Sequence, residues 1–125
     1  MSEKVKLDIE YEFKASPAIL YEFLTNPSHL AQWFADHCDV NGNIYSFFWN
    51  GYEEKAVAED LRENEYVKLR WEDEEDKIME FKLGKADISN ATILTVIDSV
   101  DEDEAEDQQL LWDSQINTLR TKVGG

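Results

Sequence analysis

His37-Cys38-Asp39, preceded by Asp36, sets an imidazole, a thiol and two carboxylates side by side in the chain. These are metal-ligand types, and a Cys–His pair can also serve as a nucleophile with its base. The spacing argues against both. Successive side chains of an extended segment point to opposite faces, so the four cannot converge on one point. No CxxC or HxxxH pair supplies further ligands, and no third group is placed to orient His37. Cys38 then reads as a small buried filler, and neither a metal nor another cofactor is expected. The acidic runs Glu72–Asp76 and Asp101–Asp107 offer oxygen ligands, but neither has the Asp-x-Asp-x-Asp-Gly spacing and distal Glu of a calcium loop. They read as solvated charge. No acid is expected within an apolar run that would raise its pKa, which counts against a paired-carboxylate catalytic site.

The aromatic residues carry the stronger signal. Trp33, Phe34, Tyr45, Phe47, Trp49, Trp71, Phe81 and Trp112, together with Ile116, are expected to face one interior space. Two readings fit them: a solid aromatic core, or the wall of a cavity that binds a small apolar ligand. Tyr45, His37 and Thr95 are the polar groups available to orient such a ligand.

These side chains must be held by ordered elements, and the pattern supplies them. Val5, Leu7, Ile9, Tyr11 and Phe13 alternate with polar residues, a period of two that predicts a half-buried strand. Ser16-Pro17 predicts a helix start, with Ser as N-cap and Pro at the first helical position. Ile19, Leu20, Phe23 and Leu24 form that helix's apolar stripe. Asn26-Pro27 ends it and starts a shorter helix burying Leu30, Trp33 and Phe34. Asn41-Gly42 and Asn50-Gly51 predict hairpin turns on either side of the strand Ile44–Trp49. Further strands are expected over Glu53–Leu61, around Val67, Leu69 and Trp71, and around Met79, Phe81 and Leu83. Ala91–Ile97 is the last strand, with its inward face undecided between Ile93/Ile97 and Leu94/Val96. The acids of Asp101–Asp107 favour a helix N-terminus. Trp112, Ile116, Leu119 and Val123 then mark one face of a long helix stopped by Gly124-Gly125. The order is a strand, two helices, about six strands and one helix. Hairpin-length connections imply an antiparallel sheet, and helices at both ends imply an α+β domain.

Composition narrows the function classes. The 125 residues suit a single domain spanning 1–125, and 42% hydrophobic residues with four Trp, five Tyr and six Phe argue for an ordered core. Against 12 bases stand 28 acids, a formal charge of -16. That field repels phosphate, so nucleic acid and anionic membrane surfaces are not expected partners. No apolar run approaches the roughly 20 residues needed to insert across a bilayer. The opening MSEKVKLDIE alternates charge with apolarity and does not read as a signal peptide. A lone Cys38 forms no internal disulfide, which favours a reducing cytoplasm.

Taken together, Leu24-Thr25-Asn26-Pro27, Leu30 and Trp33-Phe34, then Trp71 closing a strand, then Trp112, Ile116 and Leu119 in the last helix, resemble the START/Bet v 1-like (SRPBCC) superfamily. Within it they are most similar to the AHSA-like group, named for the activator of heat-shock ATPase. Leu111 stands where that group often has a Gly before the helix Trp. The resemblance implies a helix-grip fold, in which a curved sheet of about six to seven strands grips the C-terminal helix and the space between often holds an apolar ligand. Three functions are therefore expected in order. The first is binding of a small hydrophobic or amphipathic, lipid-like ligand without chemistry. The second is a co-chaperone-like interaction in which the acidic surface meets a basic protein partner. The third is a cyclase- or hydrolase-like enzyme using the same cavity.

Overall fold

A computed structural model describes residues 3–125; Met1 and Ser2, which open the segment expected to be no signal peptide, lie outside the described residues. Seven strands form one sheet in the order β1-β7-β6-β5-β4-β3-β2. They are β1 (Lys4–Phe13), β2 (His37–Asn41), β3 (Ile44–Trp49), β4 (Tyr52–Arg62), β5 (Tyr66–Trp71), β6 (Ile78–Lys85) and β7 (Thr92–Asp101). Every neighbouring pair is antiparallel. Three helices complete the chain: α1 (Pro17–Thr25), α2 (Pro27–Trp33) and α3 (Ala105–Val123). This is the expected α+β helix-grip architecture, with α3 packed against β1, β7, α1 and α2.

The local signals act as their chemistry requires. Ser16 Oγ accepts from the Ile19 amide at 3.2 Å and caps α1. Asn26 serves two helices: its amide donates to Glu22 O at 2.9 Å, and its Oδ1 accepts from the Ser28 amide at 2.9 Å. The Asn50-Gly51 turn holds both residues at positive φ, 48° and 85°, which is the twist a two-residue hairpin needs. The preceding turn falls one residue later than the sequence suggests. Asn41 pairs with Ile44, so Gly42 and Asn43 form the loop, and Gly42 supplies the positive φ of 63°. A register shift between Ala58 and Asp60 is a bulge in β4, a device that bends a strand and helps curve the sheet.

Two further expectations are corrected. The inward face of β7 is that of Leu94 and Val96, which are completely buried. Thr95 therefore lies on the opposite face, between Glu10 and Lys82 on the neighbouring strands, and is not available to an interior ligand. The strand also does not stop at Ile97. It runs to Asp101, because β1 pairs with it residue for residue from Phe13↔Thr92 to Lys4↔Asp101. Asp is unfavourable in strands by propensity, but cross-strand pairing outweighs a preference of that size.

Candidate functional site, a cleft under the start of the last helix

The longer β7 carries Asp98 onto the concave face, flanked by Leu7 on β1 and Met79 on β6. Among the described residues Asp98 is the one residue of a charged type that is buried, 3% exposed. Trp112 Nε1 donates to Asp98 Oδ2 at 2.8 Å, and Gln108 Nε2 donates to the same oxygen at 3.3 Å. These bonds tie the first half of α3 to the sheet. Burial holds the Asp98 carboxyl above the usual carboxylate range, because a desolvated charge is costly; the Trp112 bond, nearby Lys77 and the Gln108 bond pull against it. The expectation that no acid sits in an apolar run is thus overturned. Val96-Ile97-Asp98-Ser99-Val100 is such a run, and a strand that stopped at Ile97 would leave its acid outside.

Above Asp98 opens a cleft of about 310 Å³. The sheet contributes Trp49, Glu54, Trp71 and Met79, and Lys77 stands before β6. The helix side contributes Gln108, Leu111, Trp112 and Gln115, while Phe34 closes one end from the C-cap of α2. That end is framed by one backbone atom. A helix leaves its last carbonyls unpaired. The Phe34 carbonyl accepts from Trp49 Nε1 at 2.8 Å and from Gln115 Nε2 at 3.2 Å, joining α2, β3 and α3 at a single point. Phe34 and Trp49 meet edge to face at 5.4 Å, and Trp49 lies 6.3 Å from Trp71. Lys77 Nζ stands 5.9 Å from the centre of the Trp71 ring.

The nine expected lining residues divide in two. Phe34, Trp49, Trp71 and Trp112 face the cleft. Trp33, Tyr45, Phe47, Phe81 and Ile116 are buried in the core outside its wall. Trp33 stitches α2 to α1, with Nε1 donating to Phe23 O at 2.8 Å and its ring edge-on to Phe81. Tyr45 donates to Thr25 O at 2.8 Å, so its hydroxyl is already used, and burial pushes its pKa up to about 12. His37 is exposed on β2 with Nε2 3.2 Å from Asp39 Oδ1. Cys38 points the other way, into the core, where burial and then the Asp39 charge push its thiol up to about 11. The polar groups on the cleft are therefore not His37, Tyr45 and Thr95. They are Asp98, Glu54, Lys77 and two Gln side chains, none of them expected from the sequence. Asp98 has a visible signal, an acid inside an apolar strand two residues after Val96. Glu54 and Lys77 have none, since both read as ordinary surface charges.

A curved antiparallel sheet gripping a long helix, with an open cleft under one end of that helix, defines a class of small α+β domains. The START-like superfamily domain pattern matches residues 1–125, and the chain belongs to that superfamily. Among solved structures it is similar to a Bacteroides fragilis protein determined by solution NMR, at 29% identity and TM-score 0.68, covering 98% of this chain and 92% of that one. It is also similar to the Aha1 dimer of Colwellia psychrerythraea, at 20% identity and TM-score 0.81, covering 95% and 96%. A conserved protein of unknown function from Enterococcus faecalis aligns at 24% identity and TM-score 0.73, over 93% of this chain and 69% of that one. At these last two identities the likeness is one of fold. No protein of curated function matches in sequence. No helix among the described residues is long and apolar enough to cross a membrane.

Proposed function

We propose that the cleft binds a small hydrophobic or amphipathic ligand and performs no chemistry on it. The observation that carries this reading is the wall itself: four large aromatic side chains, Met79 and Leu111 surround about 310 Å³ of space, with one buried carboxyl at the floor. Filling the cleft removes apolar surface from water, worth on the order of 25 cal/mol per Å². START-like domains commonly hold apolar ligands in the corresponding space, which supports the same reading. Against catalysis stands the make-up of the wall, which has no Ser, Thr, Cys or His among its described residues. Asp98 is fixed by Trp112 and Gln108, neither of which titrates or moves a proton in the working pH range.

Titration of the intact protein with a fluorescent apolar probe tests the proposal. Saturable, stoichiometric binding is expected, weakened by Leu111→Arg at the rim of the cleft. Absence of saturable binding to the parent protein would sink the ligand reading and leave the acidic surface, facing a basic protein partner, as the functional feature.

A further inference from the structure

We propose that the occupant of this cleft is an amphipathic organic cation: a protonated amine that donates an N–H to Asp98 Oδ1 while its apolar body lies against Phe34, Trp49 and Trp71. The inference rests on the ligand-binding reading above and names the chemistry of the ligand.

The first observation is an unfinished hydrogen-bond set. Both donors that reach Asp98 use Oδ2. None of the described residues donates to Oδ1. No buried side-chain oxygen or nitrogen among them lacks a partner, so Oδ1 is not sealed away from solvent, and Asp98 lines the cleft. A carboxylate oxygen in that position asks for a donor, and a charged donor most of all, because the surroundings are poor in water.

The second observation is the set of aromatic rings. Phe34, Trp49, Trp71 and Trp112 all border the cleft. Aromatic faces carry negative quadrupole and attract cations, more strongly where water is scarce. The chain already shows this attraction, with the Lys77 ammonium set 5.9 Å from the Trp71 ring centre. Lys77 makes no ion pair within 4.0 Å with Asp98 among the described residues, so the carboxylate remains open to a second cation.

Charge selects in the same direction. Two carboxylates, Asp98 and Glu54, face one ammonium, Lys77, across the cleft. An anionic amphiphile meets repulsion from both acids. A neutral one leaves Asp98 Oδ1 without a charged partner. The overall charge of -16 draws cations towards the surface before they reach the cleft. A metal ion is a poor alternative, since no group of three His, Cys, Asp or Glu side chains is close enough to hold one among the described residues. Burial favours the protonated form of Asp98, and a bound cation favours the ionised form. Amine binding should therefore release a proton and tighten as pH rises through the titration of Asp98, with Glu54 and Lys77 the other titrating groups on the wall.

Competition against the fluorescent probe decides the matter, using octylamine, octanol and octanoate, which share one chain length and differ in head group. Octylamine should displace the probe at a concentration about tenfold lower than octanol, the value of one charge-assisted hydrogen bond, with octanoate weakest. Asp98→Asn should abolish the preference for the amine. Lys77→Met, which removes the competing ammonium without touching the floor, should widen it; this variant carries the test even if Asp98→Asn does not fold. Equal displacement by octanol, or tighter binding of octanoate, overturns the cation while leaving the ligand-binding reading intact. A parent protein that binds no probe overturns both.

Discussion

The two halves of α3 lie against the same sheet and behave as different objects. The second half is sealed. Ile116 and Leu119 are completely buried, Arg120 donates to Glu12 O at 3.1 and 3.3 Å, and its guanidinium stands 5.0 Å from the Phe13 ring centre. The helix then ends on Gly124 at φ 86°, and Gly125 O accepts from the Lys14 and Ala15 amides at 2.6 and 3.1 Å. The first half is held more sparsely. It starts at Glu104 without a side-chain cap, leaves Leu110 62% and Leu111 48% exposed, and reaches the sheet through Trp112 and Gln108 on one carboxyl. One helix thus serves as core at one end and as the roof of a cleft at the other. The difference is chemical: aliphatic packing plus backbone hydrogen bonds exclude water, whereas a polar anchor with an open oxygen leaves room for something else.

The comparison can be broken most forcefully at the sealed end. Leu119→Ala should cost roughly 2–5 kcal/mol, the range for a fully buried Leu, and leave probe affinity unchanged under native conditions. Denaturant unfolding alongside a probe titration measures both, and a large loss of probe affinity in the folded variant would mean that the two halves are not independent.

Trp112→Phe comes next. It keeps an aromatic ring under α3 but removes the donor to Asp98 Oδ2, at a cost of about 1–3 kcal/mol for a buried acceptor left short. The bond to Trp112 lowers the Asp98 pKa, so the variant should also move it further upward, readable by carboxyl chemical shifts against pH.

A smaller effect is confined to acid pH. The folded-state pKa of Asp98 lies above its unfolded value of about 4, so the native protein binds the proton more tightly. Its contribution to stability is fully present below the unfolded pKa and is lost as pH rises through the folded pKa. Subtracting the stability of Asp98→Asn from that of the parent across this window should give a falling curve. Its slope should not exceed about 1.4 kcal/mol per pH unit, the limit for a single proton. A flat difference would show that Asp98 is as well solvated as a surface acid.

The smallest expected stability change is at the rim. Leu111→Ala should alter stability by less than about 0.5 kcal/mol, as for other half-exposed positions, yet weaken the apolar probe measurably. A stability loss comparable to that of Leu119→Ala would mean that the first half of α3 is core like the second.

What the sequence determined by itself was whatever depends on near neighbours. Ser16-Pro17 and Asn26-Pro27 cap their helices with their own side chains, Asn50-Gly51 sets a turn by its own dihedrals, and alternation along β1, β3 and β5 assigns faces without reference to the rest of the chain. Enough of this was present for the fold and the superfamily to be legible. The cleft was not. Trp33 and Trp49 are the same residue type on equally apolar patterns, and a core wall and a cleft wall look alike in a sequence because both exclude water. Only tertiary packing decided that Trp49 borders the cleft under α3 while Trp33 stands outside its wall and meets Phe81. Asp98 shows the limit most clearly. Its propensity argues for a loop; its place in a strand comes from β1, its burial from Met79 and Leu7, and its anchor from Trp112, fourteen residues away. A carboxyl becomes a site through the groups that strip its water and the oxygen they leave unpaired, and those come together only when the chain has folded.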